Sequence, residues 1–291
     1  MFDCKVLVTG GSGLLGRQVV SVLMCDKIQV HGLCYSRPGP GLTSLDLTDL
    51  AATRQFIRDF KPSHVIHAAA QRFPDKVEAD FEAALKINVE SSRNLAEACK
   101  EVGGRLIYIS TDYVFAGDHP PYFPDNKTQP LNKYGETKLE GEEAVLKVDP
   151  NFIVLRIPVL YGGVKTLSES AVTVLLDVIR KGVPAKMSSY EVRCPSHTRD
   201  IASILRDLVL KNPDGGVYHW CGLEKMSKWD MCHIIGQELG LDTGHLEEVK
   251  GAGGTPRPRD VELDRTRLRQ LGVEYHTDFK SGIIEELKPF I

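Results

Sequence analysis

The beginning of the chain constrains its fold more than any other segment. The apolar, β-branched run 5–9 predicts a buried strand, and 14–24 has the apolar spacing of a helix. Between them, residues 9–16 read Thr-Gly-Gly-Ser-Gly-Leu-Leu-Gly, with glycines at positions 10, 13 and 16. A glycine turn between a first strand and a first helix is typical of nucleotide-binding α/β sheets, because the free N–H groups of the helix N-terminus bind phosphate.

Strands and helices alternate through the first half of the chain. Further strands are predicted over 28–35, 64–67, 105–109 and 153–157, and helices over 50–60, 80–102, 167–181, 198–211 and 228–239. This alternation predicts an α/β fold with a doubly wound parallel sheet (Rossmann). Residues 1–160 are expected to form this domain and residues 161–291 a smaller mixed α/β C-terminal lobe, with some strands and helices exchanged between the two.

Composition and charge narrow the class of protein. The 291 residues carry 36 basic and 39 acidic side chains, so a nucleic-acid or membrane-surface role is not indicated. No apolar run approaches the roughly 18 residues of a membrane-spanning helix, and residues 1–4 do not begin a secretory signal. The seven cysteines are scattered and form no CxxC pair, and the nine histidines form no HExxH pattern. We therefore expect reduced thiols, no metal site and a cytoplasmic location.

The end of the second strand indicates which dinucleotide is bound. Residues 33–37 read Leu-Cys-Tyr-Ser-Arg and lack the acidic residue that usually bonds the ribose 2′-hydroxyl of NAD. Arg37, and Arg17 in the first helix, are candidates to pair with a 2′-phosphate, so we expect NADP(H); a solvated surface role for both is the alternative. The other residues predicted to contact the cofactor are Gly10, Ser12, Gly13, Leu14, Leu15, Gly16, Asp46, Leu47, Ala68, Ala69, Ala70, Asn88 and Ile157.

A tyrosine and a lysine four residues apart predict a catalytic helix. Tyr134 and Lys138 share one helix face, and a nearby ammonium favours the phenolate that acid–base work requires. Thr111, at the end of the fifth strand, is placed to hold a substrate carbonyl. Substrate contacts are expected from Asp112, Val114, Arg193 and Arg257, with ordinary surface charge as the alternative for the arginines.

At these motifs the chain resembles the extended short-chain dehydrogenases/reductases, within the group of dTDP-4-dehydrorhamnose reductases. The resemblance lies in segments 9–16, 110–115, 130–142 and 257–264, which extend over nearly the whole chain. It implies that Thr111, Tyr134 and Lys138 are the catalytic set. Tyr134 would be the proton donor, and Lys138 would bind the nicotinamide ribose and lower the tyrosine pKa.

Within this group, segments 156–162, 169–174 and 195–197 are most similar to the regulatory β subunits of methionine adenosyltransferases. Val159 and Ala116 stand where the reductases carry Trp and usually Asp. The resemblance implies an NADP(H)-binding regulator whose partner is the adenosyltransferase catalytic subunit. The alternative is an NADPH-dependent reductase of the 4-keto group of a dTDP-sugar, with a nucleotide-sugar ligand.

Overall fold

The computed structural model describes residues 4–26 and 28–291, so residues 1–3, part of the segment that bears on a secretory signal, lie outside the described chain. Its strands are β1 Lys5–Thr9, β2 Gln29–Cys34, β3 Leu42–Ser44, β4 His64–His67, β5 Arg105–Thr111, β6 Ile153–Ile157, β7 Leu160–Tyr161, β8 Ala185–Ser188, β9 Val192–Arg193, β10 Ser196–His197, β11 Gly216–His219, β12 Met226–Ser227 and β13 Leu246–Val249.

A seven-stranded parallel sheet forms the centre of the molecule, in the order β11-β6-β5-β4-β1-β2-β3. Three two-stranded pairs (β10-β7, β12-β9 and β13-β8) accompany it.

Helices cover both faces of this sheet, and five of those that the structure describes lie in the C-terminal part. None of those in the described residues combines the length and apolar character needed to cross a bilayer. The helices are α1 Leu14–Cys25, α2 Leu50–Phe60, α3 Pro74–Ala79, α4 Phe81–Leu85, α5 Ser91–Glu101, α6 Lys133–Val148, α7 Leu175–Lys181, α8 Thr198–Lys211, α9 Lys228–Leu239, α10 Thr266–Gln270 and α11 Phe279–Leu287. A π-helical turn spans Lys86–Glu90, and 3₁₀ turns span Asp112–Val114, Leu167–Glu169 and Lys288–Phe290.

The alternation of side chains along β1 shows how the sheet is buried on both faces. Val6 and Val8 pack in one apolar cluster with residues of α1 and α8, whereas Leu7 packs in a second cluster with residues of α2 and α5. All three side chains are fully buried. The predicted doubly wound parallel sheet is therefore confirmed.

The C-terminal part adds elements to the central sheet and its helices, and it also has an apolar cluster of its own. Strand β11 pairs with β6 at the sheet edge, and α8 packs against α1. A separate apolar cluster is built largely from α7, α9 and α11. The division into residues 1–160 and 161–291 stays a prediction. Elements from the two sides of this division pack together, as β6 does with β11 and α1 with α8.

Two predicted helices differ from the structure. The single helix over 80–102 begins as α4 and continues through the π turn into α5. The helix over 167–181 is wrong in its first half, because regular α-helix begins only at Leu175. There the Ser170 and Thr173 hydroxyls donate to the main-chain carbonyls of Leu160 and Leu167 at 2.8 and 2.7 Å, and such bonds compete with helix formation.

Candidate functional site

A cleft of about 730 Å³ lies at the carboxyl ends of the central strands. In an open α/β sheet this is where ligands bind. Most of the site residues predicted from the sequence line it. These are Gly10, Ser12, Gly13, Leu14, Leu15, Gly16, Arg37, Asp46, Leu47, Ala68, Ala69, Ala70, Thr111, Asp112, Tyr134, Lys138, Ile157, Arg193 and Arg257.

The glycine turn leaves no room for side chains where it meets β4 and α1. Gly10 has φ +68°, and a Cβ there would lie 3.0 Å from the Ala69 nitrogen. A Cβ on Gly16 would lie 2.1 Å from the Gly10 carbonyl oxygen. Helix α1 begins after Gly13 without a side-chain cap, and residues 13–16 line the cleft, so the first N–H groups of the helix are available to a phosphate. These features fit a dinucleotide diphosphate.

Two of the predicted cofactor residues, Asn88 and Arg17, are not among the residues that line the cleft. Asn88 is buried in the π turn, where its amide group bonds both the N–H and the carbonyl of Gln71, at 2.9 and 3.1 Å. It also donates to the Thr137 hydroxyl at 3.0 Å. Asn88 therefore positions the loop after β4 against α6. Arg17 does not line the cleft either; its guanidinium binds Glu169, a residue not predicted from the sequence.

The three predicted catalytic residues converge in the cleft. The Asn132 side chain caps α6 by accepting from the Gly135 N–H at 2.9 Å, which fixes the helix start beside Tyr134. Burial raises the pKa of Tyr134 above its usual value, although the nearby Thr111 hydroxyl opposes this rise. The lowering of the Tyr134 pKa by Lys138, which the resemblance implies, stays a prediction.

Lys138 is buried and lies against one aromatic ring. Its side chain is 3% exposed, and its Nζ lies 3.9 Å from the centre of the Tyr108 ring. Burial lowers the pKa of Lys138 to about 7, while the charge of Glu142 opposes the shift. Burial thus disfavours the charged form of Lys138, and an anionic or polar ligand beside Nζ would favour it.

This lowered pKa predicts a pH-dependent stability. Between about pH 7 and about pH 10 the unfolded chain binds more protons at Lys138 than the folded chain does, so the free energy of unfolding should rise with pH by roughly 1 kcal/mol per unit. Urea unfolding across this range, compared with a Lys138→Met variant, isolates the effect. The exposed Lys147→Met serves as control; equal slopes for wild type and Lys138→Met would contradict the assignment.

A buried ion pair that was not predicted joins α6 to β6. Glu142 lies one turn beyond Lys138 on α6, and Arg156 Nη2 donates to its Oε2 at 2.6 Å. The Ser110 hydroxyl donates to the same carboxylate, and the two charged side chains are 3% and 5% exposed. The spacing of Tyr134, Lys138 and Glu142 at four-residue intervals was the available sequence signal.

The residues predicted to contact a substrate place an acid among cations in the cleft. Asp112 is 1% exposed; burial raises its pKa to about 6, against the opposing effects of Arg193 and Thr111. Its Oδ2 has no hydrogen-bond partner among the described residues. Lys228, not predicted from the sequence, lines the cleft with Arg193 and Arg257. Glu191 also lines the cleft and lies 3.7 Å from Arg193 and 3.8 Å from Arg257, so an anionic ligand would compete with its carboxylate for these two arginines.

The prediction for Val114 needs correction. Its side chain is fully buried in an apolar cluster with Phe115 and Tyr122 and does not line the cleft. In the 3₁₀ turn Asp112–Val114 successive side chains lie about 120° apart, so residues 112 and 114 do not share a face as they would in a strand. Asp112 therefore lines the cleft while Val114 packs inward.

The fold and the Thr–Tyr–Lys constellation define a Rossmann protein of the extended short-chain dehydrogenase/reductase class. A family model described as RmlD substrate binding domain matches residues 4–290, and the chain belongs to this family.

Comparison with individual proteins separates two groups of relatives. The chain is 44% identical over 294 residues to methionine adenosyltransferase 2 subunit beta of Xenopus tropicalis, covering 99% of this chain and 88% of the relative. It is 31% identical to a probable dTDP-4,6-dihydroxy-2-methyloxan-3-one 4-ketoreductase of Streptomyces antibioticus, covering 96% and 93%. Among solved structures, a dTDP-4-dehydrorhamnose reductase of Clostridium acetobutylicum superposes with a TM-score of 0.87 at 27% identity, covering 98% and 99%.

Proposed function

We propose that this chain is an NADP(H)-binding regulatory subunit that assembles with the catalytic subunit of a methionine adenosyltransferase and tunes S-adenosylmethionine synthesis, within one-carbon metabolism. The observation that carries the proposal is the 44% identity to a β subunit along 99% of the chain, against 31% to the ketoreductase. Seven free thiols support a cytoplasmic location.

The proposal is tested by mixing the purified chain with a methionine adenosyltransferase catalytic subunit. We expect the two to co-elute in size-exclusion chromatography and the chain to change kcat or KM for methionine. A chain that stays separate at micromolar concentrations and leaves both constants unchanged would contradict the proposed partnership.

The cofactor assignment rests on the donors around the cleft. When bound, NADPH supplies a transferable hydride. The turn Gly10–Gly16 would hold its diphosphate, Arg17 and Arg37 its 2′-phosphate, and Tyr134 with Lys138 its nicotinamide ribose. The remaining proposed contacts are Asp46, Leu47, Ala68, Ala69, Ala70 and Ile157, with Asn88 supporting the loop.

The choice between NADP(H) and NAD(H) depends on Arg37. Its guanidinium lines the cleft and is 52% exposed, so an Arg37→Ala variant should fold normally. Loss of a charge-assisted contact should weaken NADPH binding by roughly 1.5–3 kcal/mol and leave NADH binding nearly unchanged. Isothermal titration measures the Kd of each nucleotide. The control is Arg58→Ala, which replaces an exposed arginine on α2. Equal losses for both nucleotides would overturn the NADP(H) assignment.

A reductase is the second candidate, because Thr111, Tyr134 and Lys138 line the same cleft as Asp112, Arg193 and Arg257. In that reaction Thr111 would hold the carbonyl of a dTDP-sugar, and Tyr134 would protonate its oxygen as the hydride reaches the carbon. Consumption of NADPH on addition of dTDP-4-dehydro-6-deoxy-L-mannose, abolished by Tyr134→Phe, would favour this candidate. Absence of consumption by the wild-type chain would count against it.

A further inference from the structure

A carboxylate of the protein lies between the two arginines assigned to the 2′-phosphate. Glu169 Oε2 accepts from Arg17 Nη2 at 2.8 Å, and Glu169 Oε1 accepts from Arg37 Nη1 at 2.7 Å. The backbone N–H of Lys165 adds a third donor, to Oε2 at 2.9 Å. Two guanidinium groups and one amide N–H are the donor set that a phosphate monoester takes.

The same residue ties its segment to three separate elements of the sheet domain. Arg72, after β4, donates to the Glu169 carbonyl at 2.6 Å. Arg17, on α1, also donates to the carbonyls of Gly163 and Ser12, at 2.9 and 3.0 Å. Arg37 follows β2. Residues 163–170, which we name the strap, are therefore held to the glycine turn and to the loops after β2 and β4.

The electrostatics agree with a carboxylate held in an anion site. Burial alone would raise the pKa of Glu169, but the hydrogen bonds from Arg17 and Lys165 and the charges of Arg17 and Arg37 outweigh it and lower the pKa. The Glu169 side chain is 13% exposed, whereas the side chains of Arg17 and Arg37 are 22% and 52% exposed. An incoming dianion must compete with it for both guanidinium groups.

We propose that Glu169 is a specificity-determining residue that competes with the 2′-phosphate for Arg17 and Arg37. The inference rests on the proposed cofactor. NADP(H) displaces the carboxylate from Arg17 and Arg37 and so removes the side-chain contacts by which Glu169 holds the strap to the sheet domain. NAD(H), with a 2′-hydroxyl, leaves the ion pairs in place and can donate to the carboxylate, as it does to the acidic residue of ordinary NAD sites. Glu169 thus narrows the difference in affinity between the two nucleotides.

The test is a Glu169→Gln variant, which keeps the side-chain size and removes the charge. Because two partly exposed ion pairs no longer compete, the Kd for NADPH should fall about three- to tenfold. The Kd for NADH should stay the same or rise. Glu169→Asp retains the charge and should stay nearer to wild type for NADPH. Glu285→Gln, at a surface pair with Arg199, is the matched control and should change neither Kd.

Hydrogen exchange gives a second readout that does not depend on affinity. In the wild-type chain, saturating NADPH should speed amide exchange in residues 163–170, whereas saturating NADH should not. An unchanged or weaker NADPH affinity in Glu169→Gln, or a strap protected by NADPH, would overturn this inference alone. Failure of the wild-type chain to bind either nucleotide would contradict both this inference and the proposed cofactor.

Discussion

Alanine in place of either Glu142 or Arg156 should lower the free energy of unfolding by about 3–5 kcal/mol. Both side chains are almost completely buried, and Arg156 donates to both carboxylate oxygens, with Nε to Oε1 at 2.9 Å and Nη2 to Oε2 at 2.6 Å. Removing one partner leaves the other charge buried without its ion-pair partner. Urea unfolding at neutral pH measures the loss for each variant.

Two matched variants separate this effect from general damage to the core. The double variant Glu142→Leu/Arg156→Met removes both charges and should recover much of the lost stability, because neither charge is then left unpaired. Arg58→Ala, which breaks an exposed pair with Glu101, should cost less than about 1 kcal/mol. Single variants that cost no more than Arg58→Ala would show that the pair is not buried as described.

Gly16→Ala should weaken NADPH binding roughly a hundredfold, equivalent to about 2.7 kcal/mol. The added methyl would lie 2.1 Å from the Gly10 oxygen and 2.9 Å from the Gly11 Cα, so the turn and the start of α1 must separate. That movement withdraws the N–H groups proposed to hold the diphosphate. Fluorescence titration of NADPH measures the affinity.

A control glycine distinguishes loss of the turn from a general effect of the substitution. A Cβ on Gly251 meets nothing within 4 Å, so Gly251→Ala should bind NADPH as wild type does. Circular dichroism checks that Gly16→Ala remains folded, since overpacking also costs about 1–3 kcal/mol of stability. A folded Gly16→Ala variant with an NADPH affinity within about threefold of wild type would contradict the proposed role of the turn.

The parts of the fold and site that could be predicted are those encoded by neighbouring residues. The glycine turn, the buried strands and the Tyr134–Lys138 spacing are each local patterns, and the helices over 50–60, 198–211 and 228–239 have the predicted bounds. Parallel strands then bring their carboxyl ends to one edge of the sheet. This is why residues as distant as Gly10 and Lys138 could be assigned to one cleft.

What could not be predicted depends on contacts between distant segments. Glu169 meets Arg17 across 152 residues, and Arg156 meets Glu142 from a different element. No local pattern marks either pairing. The failed start of the helix predicted at 167 has the same origin, because that segment is bonded to β7 and to three arginines. Val114 was misplaced because residues 112 and 114 do not share a face in a 3₁₀ turn, as they would in a strand.

A crystal structure of the chain grown with NADPH tests the central claim most directly. The account predicts the diphosphate over Gly10–Gly16, the 2′-phosphate bonded to Arg17 and Arg37 with Glu169 displaced, and the nicotinamide ring beside Tyr134 and Lys138. A nucleotide bound elsewhere, or a nicotinamide ring directed away from those two side chains, would contradict it.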